Sequence, residues 1–147
     1  MLELIPIFQG TPDYGEVNGF KKYQIVSQQN EEDCGAACLA SIAKYYGKNL
    51  TINRLREAAG TRQQGTTLLG LKQGAEIIGF NARSVRASAE ILEQLDRAPL
   101  PAIIHWQGYH WVVLYGKKGN KYVIADPALG IRYLSKKELA EGWEDWV

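Results

Sequence analysis

The stretch Asp33-Cys34-Gly35-Ala36-Ala37-Cys38-Leu39-Ala40-Ser41-Ile42-Ala43-Lys44-Tyr45-Tyr46-Gly47 decides how this chain folds. Ala37, Leu39, Ala40, Ile42 and Ala43 make much of it apolar, which predicts a buried helix. Asp33 is suited to cap its start, and Gly47 is a preferred residue just past a helix end. The helix is therefore expected from about Cys34 to Tyr46.

Thr51 is placed to cap a second helix ending near Gly60, with Ile52, Leu55 and Ala58 at helical spacing. Thr66 or Thr67 begins a third, with Leu69, Leu71, Ala75 and Ile78 inward and Gly79 at its end. Ala82 to Val85 reads as a strand, and Ser88 caps a short helix through Leu95. After Pro99 and Pro101 the period becomes two. Strands are expected over Ala102–Trp106, His110–Tyr115, Lys121–Ala125 and Ile131–Leu134. Ser135 and Glu138 form a capping box that opens a last helix ending near Gly142. Helices first and an antiparallel meander after them give an α+β order. Upstream, Tyr23–Val26 reads as a short β-type run before the polar stretch Ser27–Glu32. Residues 1–20 hold Pro6, Pro12, Gly10, Gly15 and Gly19, three acidic residues and no basic one. They read as an irregular arm whose apolar start packs as an edge strand.

The 147 residues set a prior of one domain. Apolar residues at 46% and charged residues at 22% fit a globular chain and exclude disorder. Seventeen Lys and Arg against sixteen Asp and Glu leave a net charge of +1, which removes the electrostatic case for nucleic acid as the partner. Two cysteines are too few for a disulfide framework and suit a reducing compartment. The apolar start lacks a basic region and is broken by Glu3 and Pro6, unlike a signal peptide, and no stretch approaches the ~18–20 apolar residues of a membrane span. No Gly-rich nucleotide loop occurs, so the expectation is a soluble cytosolic domain with no cofactor.

Four residues carry candidate chemistry. Cys34 falls at a helix N-terminus, where unpaired N–H groups and the helix dipole favour a thiolate. On its own it reads more often as a small core residue. His110 begins a strand and is better placed than His105, inside the preceding strand, to serve a thiol as base and acid. Asp126 follows the next strand, where a hairpin can bring it face to face with His110 and let it orient the imidazole; Asp126-Pro127 is also a common turn opener. Gln28, six residues before Cys34, can join the Cys34 N–H in receiving an oxyanion, although a surface glutamine is the plain alternative.

Several blocks in order resemble a known family. Gln28 with Asp33–Ala40 and Tyr45-Tyr46-Gly47 resembles the opening of the C39 peptidases, the double-glycine leader peptidases of bacteriocin exporters. Leu100–Trp106 with His110–Leu114 is similar to the family's histidine block, and Tyr122–Gly130 to its aspartate block. Leu134–Trp143 resembles the segment that joins the peptidase to a first membrane span. The likeness covers residues 21–147 and leaves the arm, 1–20, outside it.

The resemblance implies a papain-like cysteine peptidase, with N-terminal helices packed on a C-terminal antiparallel sheet. Cys34 is then nucleophile, His110 base and acid, Asp126 orienter and Gln28 oxyanion donor. It implies cleavage after a Gly-Gly pair in a precursor with an amphipathic leader helix. It also implies work beside the transmembrane and ATP-binding domains of an ABC exporter, on the cytoplasmic side of a bacterial membrane. The alternative within the same fold is a non-catalytic leader-binding domain, against which Cys34 argues. Other papain-like amidases share the order Cys, His, Asp. A zinc site from Cys34, Cys38, His105 and His110 is disfavoured by the long gap between the pairs. Cys38, one turn from Cys34, reads as core.

Overall fold

In the computed structural model, residues 2–4, 23–87, 93 and 100–144 are described. Strand β1 is Leu2–Leu4 and β2 is Val85–Ala87; the two pair antiparallel. Helices α1 (Cys34–Tyr45), α2 (Ile52–Ala59) and α3 (Leu68–Ile77) come next to a sheet of β3 (Ala102–Trp106), β4 (His110–Lys118), β5 (Lys121–Asp126) and β6 (Gly130–Leu134). Helix α4 spans Lys136–Glu144. The sheet is an antiparallel meander in the order β3-β4-β5-β6.

Helix α1 is buried along ten consecutive residues, from Cys34 to Ala43. Small side chains make this possible, since Gly35, Ala36, Ala37, Ala40 and Ala43 let neighbours approach on every side. The sheet uses both faces. Ile103, Trp111, Val113, Tyr115, Val123 and Ala125 pack on α1 and the core behind it. Ala102, Ile104, Trp106, Val112, Leu114, Tyr122 and Ile124 face the other way, onto Leu139 and Trp143 of α4. That two-sided burial explains why β3 to β5 read as nearly continuous apolar runs; each large side chain so buried contributes about 1.5–3 kcal/mol.

The caps follow the sequence. Thr51 and Thr67 accept from the N–H groups of Arg54 and Gly70, and Gly60 ends α2 in the left-handed conformation. Ser135 and Glu138 exchange side-chain bonds with each other's backbone N–H groups, a capping box for α4.

Several expectations are corrected. Residues 23–28 form no strand; Val26 N–H instead bonds to the Ser41 hydroxyl on α1. The strand expected over Ala82–Val85 begins only at Val85 and pairs with β1. Leu69 is 60% exposed on α3, because helical spacing alone did not fix which side of α3 faces in. The helix expected from Ser88 to Leu95 lies, apart from Glu93, outside the described residues, as does the arm beyond Leu4. Among the described residues no helix is long and apolar enough to cross a membrane.

Candidate active site

Asp33 precedes α1 and is fully buried, but its carboxylate does not cap that helix. It folds back over the 3-10 turn Glu31–Asp33, where one oxygen accepts from Asn30 N–H at 3.2 Å. Its other oxygen lies 3.1 Å from Arg56 Nε on α2, close enough for an ion pair but not aligned as a hydrogen bond. The chain entering α1 is thereby fixed to α2. Gly35 is needed next, because a Cβ there would stand 2.8 Å from Thr66.

Cys34, the first residue of α1, is 4% exposed. His110 opens β4 and Asp126 closes β5. The register pairs Val113 with Ala125, so Asp126 stands opposite Val112 and diagonal to His110 on one face. His110 Nε2 and Asp126 Oδ1 are 2.7 Å apart. With Nε2 engaged by the carboxylate, Nδ1 is left for the Cys34 thiol, which hydrogen-bonds the same ring.

Electrostatics follow from these contacts. Burial by itself pushes the His110 imidazole down, but the hydrogen bonds to Asp126 and Cys34 and their charges outweigh it and raise the pKa to about 9. Burial would raise the Asp126 carboxyl, yet the bonds from His110 and from Ala128 N–H hold it below the ordinary carboxylate range. An imidazolium held between a carboxylate and a sulfur that has given up its proton is the arrangement that keeps sulfur nucleophilic and supplies a proton to a departing amine.

Gln28 is half-buried, and its backbone N–H donates to Pro127 O at 2.9 Å. Its Oε1 is buried without a partner among the described residues, and the side chain shares a groove wall with His110 and Asp126. His110 thus joins Cys34 to Asp126, and Gln28 lines the groove beside His110 and Asp126. Cys38 is fully buried and its thiol is pushed up by burial first, then by the negative charge of Cys34 and Asp126. His105 turns to the α1 side of the sheet and stacks on Trp111 with ring centroids 4.3 Å apart, and burial pushes it down.

Sequence reasoning missed the groups that hold the site together. Trp111 Nε1 donates to Thr66 O at 2.9 Å, tying β4 to the α2–α3 loop. A buried indole N–H usually finds an acceptor, which was the available signal. Gln107 N–H donates to Gly142 O at 2.9 Å, so α4 braces the β3–β4 turn just before His110. Nothing in the spacing of the residues marks that brace, or the Arg56–Asp33 pair.

Scaffold and chemistry together are those of a cysteine peptidase. A profile of the peptidase C39 family matches residues 22–147, and the chain belongs to that family. It is 43% identical over 128 residues to the lactococcin-G-processing and transport ATP-binding protein LagD of Lactococcus lactis, covering 84% of this chain and 18% of that protein. It is 37% identical to the colicin V secretion/processing ATP-binding protein CvaB of Escherichia coli, covering 82% and 17%. The chain therefore spans less than a fifth of the length of these curated relatives. Among solved structures, the peptidase domain of Streptococcus ComA superposes with a TM-score of 0.76 at 37% identity, covering 83% of this chain and 93% of that one. A double glycine motif protease from an AMS/PCAT transporter, in complex with the leader peptide, gives 0.76 at 29% identity, covering 95% and 91%.

Proposed function

We propose that this chain is the leader-processing peptidase of an export system, cutting a precursor peptide after a Gly-Gly pair. The observation that carries the reading is the His110 ring, bonded to Asp126 through Nε2 and to the Cys34 thiol. The relatives named for processing and transport, and the neighbour solved with a leader peptide, support the substrate class. On this reading residues 21–147 are the peptidase unit, residues 1–20 an appended arm, and the unit works on the cytoplasmic side of the membrane beside transmembrane and ATP-binding domains.

With its thiol proton passed to His110, the Cys34 sulfur attacks the carbonyl carbon of the second glycine. The C=O π pair moves onto oxygen, which the Cys34 N–H and the Gln28 amide receive. Collapse breaks the C–N bond, His110 gives its proton to the departing amine, and the leader remains as a thioester on Cys34. Water, losing a proton to His110, then releases the leader acid and restores the thiol.

The test is incubation with a synthetic precursor carrying a Gly-Gly leader. Cleavage after the second glycine, lost in Cys34→Ala while leader binding persists, is the expected result. Binding with no product from the unaltered chain overturns the reading.

A further inference from the structure

Beside the site lies a groove of about 740 Å³, within the usual size of a ligand cleft. Among the described residues its walls come from the loop before α1, the β3–β4 turn, the Asp126–Arg132 segment and α4; none comes from α1, α2 or α3. His110 and Asp126 stand in its wall and Cys34 does not. In the mechanism above, the acyl half stays on sulfur, and the amine half leaves from the side where the imidazole gives up its proton. The segment following the cut bond must therefore run past His110 and away from Cys34, into this groove.

The groove has a chemical character of its own. Tyr109 and Leu129, 75% and 70% exposed, stand at the His110 turn and in the loop after Asp126. Farther along, the carboxylates of Glu31, Glu138 and Glu141 line it with Arg132 as the basic residue, a negative excess in a chain of net charge +1. Glu138 is fixed by the N–H of Ser135, so its carboxylate has a set position. The α-ammonium created by cleavage also emerges here.

We propose that this groove is the subsite for the departing part of the precursor and that it selects an apolar residue close to the cut followed by a basic one. This rests on the peptidase reading above, in which Cys34 takes the acyl group. Four extended residues span roughly 13 Å, so a basic residue two to four places beyond the cut is within reach of the acidic walls. Exposed charge pairs are individually weak, so the preference is expected to be moderate and salt-sensitive.

The experiment measures kcat/KM for three precursors that share one leader and Gly-Gly and continue as Ile-Lys, Ile-Glu or Ser-Lys. The unaltered chain is expected to favour Ile-Lys over Ile-Glu by about three- to tenfold at 50 mM salt, and by less than about twofold at 500 mM. It is expected to favour Ile-Lys over Ser-Lys by about tenfold. The double variant Glu31→Lys/Glu141→Lys reverses the Lys over Glu preference; Glu141→Gln, a milder change, reduces it. Equal rates for all three precursors overturn the subsite while leaving the peptidase reading intact, and so does a double variant that keeps the Lys over Glu preference of the unaltered chain. Cleavage of none of the three overturns the peptidase reading itself, and the subsite with it.

Discussion

The backbone N–H of Gln28 donates to the carbonyl oxygen of Pro127 at 2.9 Å, tying the segment before α1 to the residue after Asp126. Through this bond the proposed oxyanion donor and the proposed orienting carboxylate share one anchor. Because the anchor is made by backbone, a side-chain change at Gln28 removes an amide without undoing the site. Gln28→Ala is expected to lower kcat by about 10²–10³-fold with KM little altered, measured on a Gly-Gly precursor. A change confined to KM contradicts the assignment.

The His110–Asp126 pair has a pH signature in stability. The folded imidazole titrates near 9 against an ordinary 6.5, so its contribution is complete below about 6.5 and fades as pH rises to about 9. The Asp126 carboxyl lies below its ordinary value, so its contribution is present above about 4 and is lost on acidification. Urea unfolding of the unaltered chain should give its highest midpoint between these limits. Asp126→Asn should flatten the decline from pH 6.5 to 9 and cut kcat by about 10²–10⁴-fold. An unchanged slope contradicts the coupling.

Gly142 lies against the indole of Trp106, and a Cβ there would run into the ring. Gly142 O also receives the Gln107 N–H that braces the turn before His110. Gly142→Ala is expected to cost about 1–3 kcal/mol and to lower kcat by about tenfold or more through displacement of His110. Thermal unfolding together with precursor cleavage checks both; a variant with full activity and an unshifted Tm contradicts the bracing role.

Arg56 faces the buried Asp33 carboxylate at the entry to α1. Arg56→Ala leaves that charge without its cation, and the half-exposed guanidinium moderates the loss to about 1–3 kcal/mol. Denaturant unfolding at pH 7 measures it. Recovery of stability in Arg56→Ala/Asp33→Asn is expected, since the double variant has no buried charge to satisfy.

The helices and the meander were legible because their signals are local. Thr51, Thr67, Gly60, Ser135 and Glu138 cap where their chemistry says they should. The sequence marks Cys34, His110, Asp126 and Gln28 as candidates in order, and the hairpin register explains why His110 and Asp126, far apart in the chain, meet. What escaped depends on distant partners. Leu69 sits at a helical position that reads as inward, yet α3 presents Leu71 and Ala75 to the core instead. Tyr23–Val26 has strand-like residues but meets Ser41 of α1 rather than a neighbouring strand. Asp33 was read as a helix cap, and the Arg56 guanidinium that faces its buried carboxylate comes from another helix.

In the proposed mechanism Cys34 carries the leader as a thioester. Acid quenching of a precursor reaction within the first turnovers, followed by mass spectrometry of the protein and its fragments, tests it most directly. The expected result is an adduct equal in mass to the leader less one water, localised to the fragment holding Cys34 and absent from Cys34→Ala. An adduct on Cys38, or cleavage that persists in Cys34→Ala, would contradict it.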